Sequence, residues 1–220
     1  SFGIGSDGLI LLQNASDSDF KMVYFNANGS IGSLCGNGAR FIVAFAKYLG
    51  CISDVTKFEA SDGLHNARIE SDIISIKMRD VFDVKNFNTH IFLDTGSPHH
   101  VQMVKDLKQY NVYANGKRIR EGEPYNESGS NVNFVEQISE NKFAIRTYER
   151  GVEDETLSCG TGATAVALAM HFIKKTTSNS VVIQVEGGTL EIEFEPTQKG
   201  YQNIFLSGPA EQVYSGTLNF

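Results

Sequence analysis

Leu34-Cys35-Gly36-Asn37-Gly38-Ala39 is echoed by Ser158-Cys159-Gly160-Thr161-Gly162-Ala163, and each hexapeptide runs straight into an apolar, alanine-containing stretch. The shared core is Cys-Gly-x-Gly-Ala. A thiol followed by two closely spaced glycines at the mouth of an apolar helix leaves backbone N–H groups uncovered beside the sulfur. Two such elements point to a duplicated scaffold that presents paired thiols to one substrate. Inverting a carbon centre calls for an opposed pair of proton carriers of this kind.

The runs that follow predict two helices, over residues 39–49 and 163–174. Phe41-Ile42-Val43-Ala44-Phe45-Ala46 and Ala165-Val166-Ala167-Leu168-Ala169-Met170 are apolar almost all round, which predicts helices surrounded by protein. Gly50 follows the first where a left-handed residue is expected, and Lys174-Lys175 close the second with charge that suits the helix dipole. Elsewhere the pattern is one of short strands: residues 9–12, 21–25, 73–78, 89–93, 142–148, 181–185, 190–194 and 203–206 are rich in β-branched and aromatic side chains. Ile73-Ile74-Ser75-Ile76-Lys77-Met78 and Leu190-Glu191-Ile192-Glu193-Phe194 alternate between a wet and a dry face. Asn28-Gly29, Asp62-Gly63, Asn115-Gly116 and Gly187-Gly188 read as turns. Together these predict an α+β fold of two pseudo-symmetric lobes. Each is a strongly curved, mostly antiparallel sheet or barrel wrapped around a central helix, with a cleft between the helix N-termini. The boundary falls in residues 83–88, giving an N-terminal lobe of 1–85, completed by a C-terminal strand at 209–220, and a C-terminal lobe of 86–208.

Composition narrows the function classes. The 220 residues carry a net charge of −7, and no Lys/Arg cluster overrides that average, which argues against nucleic acid and for a small-molecule partner. No apolar run approaches the ~20 residues of a membrane-crossing helix. Three cysteines are too few for a secreted disulfide scaffold, and no Cys-x-x-Cys is present, so a reducing, cytoplasmic setting is expected. Ser1-Phe2-Gly3 resembles neither an initiator nor a signal peptide and reads as a clipped start.

A helix-start thiol sits in the positive end of the macrodipole, which favours thiolate near neutrality. The N–H donors beside it suit a carboxylate. If that carboxylate belongs to an amino acid, its Cα hydrogen lies within reach of the sulfurs, and charge developing on the carboxylate meets donors already aimed at it. The bland alternative is that each Cys is a buried small hydrophobe. The repeated Gly-x-Gly-Ala context argues against it for Cys35 and Cys159, while Cys51, with no such neighbours, keeps that reading. A structural Cys35–Cys159 disulfide is a third possibility, disfavoured in a reducing compartment. Gly3-Ile4-Gly5-Ser6-Asp7-Gly8 matches G-x-G-x-x-G, but a strand-like Leu9-Ile10-Leu11-Leu12 follows instead of a helix, so no dinucleotide site is expected. His99-His100 would point to opposite faces of a strand without completing a ligand set, and no metal is expected.

Other segments extend the pattern. Asn26-Ala27-Asn28-Gly29-Ser30 precedes the first thiol motif, and Tyr148-Glu149-Arg150-Gly151 precedes the second; Asp94-Thr95-Gly96-Ser97-Pro98-His99 and Asn131-Val132-Asn133-Phe134-Val135 lie between. In this combination, over essentially the whole chain, the sequence closely resembles the bacterial diaminopimelate epimerases. The resemblance implies a pyridoxal-independent isomerase of lysine and peptidoglycan-precursor synthesis. It would interconvert LL- and meso-2,6-diaminopimelate with Cys35 and Cys159 as acid and base, and need no cofactor. It further implies that the backbone around Gly36, Asn37, Gly160 and Thr161 holds the reacting carboxylate. Asn26, Asn131, Glu149 and Arg150 would grip the distant amino-acid end, His99 and Glu149 would lie near the thiols as proton partners, and Ser97 would support the site. A homodimer is implied as well. Ser97 stands where many members carry Asn, Gly8 replaces a glutamine found in some, and the segment from Arg150 to Cys159 is one residue longer than in well-known members. The family's N-terminal strand with Gly-Asn-Asp is not in this sequence, from which a longer native precursor is expected.

Two rivals come from the same residues. A proline or hydroxyproline racemase also opposes two cysteines, but usually carries His where this chain has Asn37, and Glu149-Arg150 suits a substrate with a second charged end. A non-catalytic anion-binding or thiol redox protein would use the helix starts without stereochemical consequence.

Overall fold

A computed structural model describes residue 6 and residues 8–32 and 35–217. The glycine-rich start, apart from Ser6 and Gly8, lies outside the described residues. The chain forms a mixed α+β fold and divides into two compact units, residues 1–76 with 208–220, and residues 77–207.

In the first unit, β1 (Gly8–Gln13), β2 (Phe20–Asn26), β3 (Val55–Ala60), β4 (Gly63–Glu70) and β5 (Ile73–Lys77) lie in that spatial order. All pairings are antiparallel except β2 with β3, which are parallel over a short stretch. Helix α1 (Gly36–Tyr48) packs on β1 and β2. It buries Ala39, Ile42, Val43 and Ala46, while the sheet contributes buried Phe20, Met22 and Phe58, the Phe20 and Phe58 rings stacking at 5.2 Å.

The second unit places β14 (Gly200–Pro209), β13 (Gly188–Thr197), β12 (Ser180–Val185), β10 (Lys142–Glu149), β9 (Asn131–Ser139), β8 (Pro98–Met103), β7 (Ile91–Asp94) and β6 (Val84–Asn86) side by side. A short β11 (Asp154–Thr156) pairs with β10. The β10–β12 and β8–β9 pairs are parallel and the others antiparallel. Helix α3 (Gly160–Phe172) touches β7, β8, β9, β10, β12 and β13, so strands lie on several of its sides. Its alternating alanines permit this close approach: Ala163 and every residue from Ala165 to Met170 are fully buried. On the other side of β9 and β10, α2 (Val112–Glu121) covers a second cluster of Leu107, Val112, Val132, Phe134 and Tyr148. Arg146 ties this layer down, forking onto Glu155 at 2.6 and 2.7 Å while donating to the Leu107 and Tyr110 carbonyls at 2.9 Å.

The predicted strands and both predicted helices are present, each helix beginning three residues earlier than expected. Four local readings change. The helix surrounded by protein is α3 alone; on α1, Phe41, Phe45 and Tyr48 fall on one face and are 48%, 46% and 67% exposed, beside residues 210–214. Aromatic bulk raised the apolar count of that run without committing every face to the core. In β5, Ser75 is buried beside Ile74 and Ile76, so the expected wet face is covered at that position alone, between exposed Ile73 and half-buried Lys77. Asn115-Gly116 is no turn: it lies inside α2, capped by the Asn111 side chain accepting from the Ala114 N–H at 3.0 Å. Gly116 is there for proximity, since a Cβ at that position would lie 2.3 Å from the Tyr148 Cβ.

Cys51, expected to be buried, is exposed. It sits just past a helix ending in which Gly50, at φ +72°, donates to Lys47 and Cys51 donates to Ala46, both at 2.9 Å. The second helix ends the same way with Lys174 at φ +60°, its neighbour Lys175 donating to Met170 at 2.9 Å. No strand is assigned to residues 210–217, and no helix among the described residues is long and apolar enough to cross a membrane.

Candidate active site

Cys35 and Cys159 occupy equivalent positions. Each is the N-cap of its helix with extended backbone, φ −97° and ψ 119° for Cys35, φ −125° and ψ 110° for Cys159. Each carbonyl accepts the first helical N–H, from Ala39 at 2.7 Å and from Ala163 at 2.9 Å. Neither side chain caps its helix, and all three cysteines are free thiols. The second glycine of each motif explains the repeat. A Cβ on Gly38 would lie 3.5 Å from the Cys35 Cβ, and one on Gly162 would lie 3.3 Å from both the Cβ and the Sγ of Cys159. At Gly162 a side chain would press on the thiol, whereas at Gly38 it would reach only ordinary contact with the Cys35 Cβ.

Around Cys35, Gly36 and Asn37 form the first turn of α1, and Arg40 holds it. Arg40 is 4% exposed and donates to the Gly36 carbonyl at 3.3 Å, to Asn37 Oδ1 at 2.9 Å and to the Pro209 carbonyl at 3.4 Å. Burial lowers the guanidinium from its ordinary value, and the Cys35 sulfur works in the opposite direction. The sequence reading gave Arg40 no role; the signal available was an Arg four residues past Gly36, where one helical turn returns it to that residue's carbonyl. Asn26, at the exposed end of β2, closes its own turn: its amide nitrogen donates to the Ser30 hydroxyl at 3.1 Å and its carbonyl accepts from Gly29 at 2.9 Å.

Around Cys159 the first turn of α3 is held by hydrogen bonds, and several other expected residues meet around Asn131. Cys159 Sγ lies 3.5 Å from the Thr161 hydroxyl, the Thr161 carbonyl accepts from buried Thr95 at 2.8 Å, and the Gly160 carbonyl accepts from Thr164 at 3.0 Å. Asn131 Nδ2 donates to the Ser97 hydroxyl at 3.1 Å and the Pro98 carbonyl at 3.2 Å, while its Oδ1 accepts from the Arg150 N–H at 2.9 Å. Ser97 therefore stands as the acceptor that orients Asn131. The exposed Arg150 side chain donates to the Ser128 carbonyl at 2.9 Å. His99 pairs with Asn131 in the β8–β9 register, and Glu149 ends β10 two residues past Thr147, which pairs with Asn133. Those registers bring Ser97, His99, Asn131, Glu149 and Arg150 to one end of neighbouring strands.

Two titrating groups there are perturbed. Burial raises the Glu149 carboxyl above the ordinary value, partly offset by the Thr156 hydroxyl donating to it at 2.8 Å. Burial, aided by the positive charge of Arg150, lowers His99 to about 3. The two adjacent histidines do part company: His99 Nδ1 meets Asn133 at 3.1 Å, whereas His100 meets the Tyr125 hydroxyl at 2.9 Å and stacks on His90 at 4.0 Å. Asn133, Thr95 and Thr147 escape a local reading because each acts through a partner distant in sequence; Thr156 acts on Glu149, seven residues away across the β10–β11 pair.

The model of the family described as diaminopimelate epimerase matches residues 1–78 and 91–213. Among curated relatives, a diaminopimelate epimerase of Flavobacterium psychrophilum is 54% identical over 218 residues, covering 99% of this chain and 85% of the relative. That of Chlorobaculum tepidum is 41% identical over 226 residues, covering 98% and 86%. Among solved structures, a phenazine biosynthesis protein of the PhzF family from Bacillus anthracis superposes with TM-score 0.74 at 13% identity, covering 93% of this chain and 82% of the other. A hydroxyproline epimerase of Agrobacterium vitis gives 0.63 at 15%, covering 92% and 72%. These two share the fold. With a family match spanning nearly every residue and both thiol motifs, the chain belongs to the diaminopimelate epimerase family.

Proposed function

We propose that this protein interconverts LL- and meso-2,6-diaminopimelate by two-base proton transfer at Cα, without pyridoxal, in lysine and peptidoglycan-precursor synthesis. The observation that carries the reading is the pair of free thiols, each the uncapped N-cap residue of an equivalent helix start. One sulfur removes the Cα proton as thiolate; the other, as thiol, delivers a proton to the opposite face, and configuration inverts. The N–H groups of the Gly36-Asn37 and Gly160-Thr161 turns stabilise charge that builds on the carboxylate. Asn26, Asn131, Glu149 and Arg150 hold the distant amino-acid end, with the Arg150 guanidinium suited to a carboxylate and Glu149 to an ammonium. Ser97 and His99 support them. We further propose a cytoplasmic homodimer.

The test is incubation of the purified full-length protein with LL-diaminopimelate, proline and hydroxyproline in heavy water. The expected result is meso product carrying solvent deuterium at Cα, from diaminopimelate only. Turnover of proline or hydroxyproline would assign the chain to the racemases, and no exchange with any of the three would leave it an anion-binding or redox protein.

Glu149 supplies a second expectation. Its folded pKa is raised, so the folded state holds that proton more tightly than the unfolded chain does. The stability this contributes is complete below the ordinary carboxylate value of about 4.3 and is lost as pH rises through the folded value. Near neutrality the ionised, half-buried carboxylate opposes folding. Glu149→Gln is therefore expected to raise Tm at neutral pH while lowering turnover, a pairing that thermal melts and steady-state kinetics read directly.

A further inference from the structure

Asn133 is fully buried, and each polar atom of its amide is committed. Nδ2 lies 3.1 Å from the His100 carbonyl, a group that only accepts, so the nitrogen and not the oxygen must face it. Oδ1 accepts from the Thr147 hydroxyl at 3.0 Å, which agrees with that orientation. The second hydrogen of Nδ2 then points at His99 Nδ1, 3.1 Å away. A ring nitrogen that receives an N–H carries no proton of its own. The neutral His99 ring must therefore hold its proton on Nε2. That atom is also buried and has no hydrogen-bond partner among the described residues.

We propose that Asn133, held by Thr147, is a positioning residue that fixes His99 as a neutral Nε2–H donor, reserved for an acceptor that arrives with the substrate. The proposal rests on the epimerase reading for what that acceptor is, an anionic oxygen or sulfur of the reacting complex, but not for the tautomer itself. A buried N–H left without a partner costs free energy, and a bound anion recovers it. Cation formation is opposed on two sides: the ring is fully buried and Arg150 is the charged group that acts on it. His99 is thereby denied the part of a general base, since its only free nitrogen is already protonated. The same amide couples His99 to the thiol helix, because Asn133 Oδ1 occupies the space a Cβ on Gly162 would need.

The experiment is long-range nitrogen–proton NMR of the imidazoles in the ligand-free full chain. The expected result is a His99 ring protonated at Nε2 alone and neutral at about pH 6 and above. In Asn133→Asp, a carboxylate replaces the amide donor, so the proton is expected on Nδ1 and the ring is expected to titrate at least about one unit higher. A wild-type His99 bearing its proton on Nδ1, or cationic near neutrality, would overturn the proposal without any variant having to fold. So would an unchanged tautomer in a folded Asn133→Asp. With diaminopimelate, that variant is expected to lose roughly 10-fold or more in kcat with a much smaller change in KM. The predicted tautomer in a protein that does not epimerise diaminopimelate would retain the inference and reject the function.

Discussion

Cys35→Ala and Cys159→Ala are each expected to lower formation of meso-diaminopimelate from the LL isomer by roughly 10,000-fold, the full contribution of a positioned proton carrier. Inversion needs removal and delivery on different faces, so losing either partner is as damaging as losing both, and the double variant should be no slower than the singles. What hydrogen exchange persists should be confined, in each single variant, to the isomer whose Cα hydrogen faces the surviving sulfur. Both thiols are uncapped at their helix starts, so alanine removes no cap and both variants should fold. Proton NMR of the substrate in heavy water follows both isomers at once. Wild-type turnover in either variant would eliminate the two-thiol mechanism.

Gly162→Ala is expected to be severe and Gly38→Ala mild, although the two glycines hold the same place in the repeat. The added methyl at Gly162 would lie 2.5 Å from Asn133 Oδ1 and 3.3 Å from Cys159 Sγ. Asn133 cannot give way without breaking its bonds to Thr147, His100 and His99. At Gly38 the nearest atoms are the tips of flexible side chains, Ile10 Cδ1 at 2.9 Å and Met22 Cε at 3.3 Å. The overpacking penalty of about 1–3 kcal/mol should appear in full at Gly162 and in small part at Gly38. Denaturant unfolding and kcat, measured side by side, test the contrast; equal losses at both sites would contradict it.

The two thiol helices were legible because their apolar runs are long and their glycines frame the sulfur. What misled was the outer face of α1, where Phe41, Phe45 and Tyr48 read as core yet meet solvent. Periodicity reports which side chains are apolar, and an almost uniformly apolar run does not say which side the sheet takes. Helix α2 was missed for the opposite reason: Val112-Tyr113-Ala114-Asn115-Gly116-Lys117 offers one narrow apolar stripe and a dipeptide that normally turns. Its glycine answers to the close approach of Tyr148, a residue of strand β10.

Within the site, Cys35 and Cys159 could be read from local spacing, and Asn131, Glu149 and Arg150 from the resemblance that the surrounding segments carried. Asn133 could not. Its partner His99 lies 34 residues earlier and becomes a neighbour only through the parallel register of β8 and β9. Thr95 is similar: it holds a helix start by a bond to the Thr161 carbonyl 66 residues on, and such a bond leaves no trace in residue type.

The contrast between the two sibling helices carries a consequence for variation. Every face of α3 from Ala163 to Met170 meets a neighbour, so an enlarged side chain there must displace a strand, and substitutions should be tolerated sparingly. The outer flank of α1 meets water, and its aromatic positions are open to polar replacement at little cost to the monomer's own folding. The Cys-Gly-x-Gly-Ala repeat is thus common to both helix starts, while the two bodies behind them place different limits on substitution.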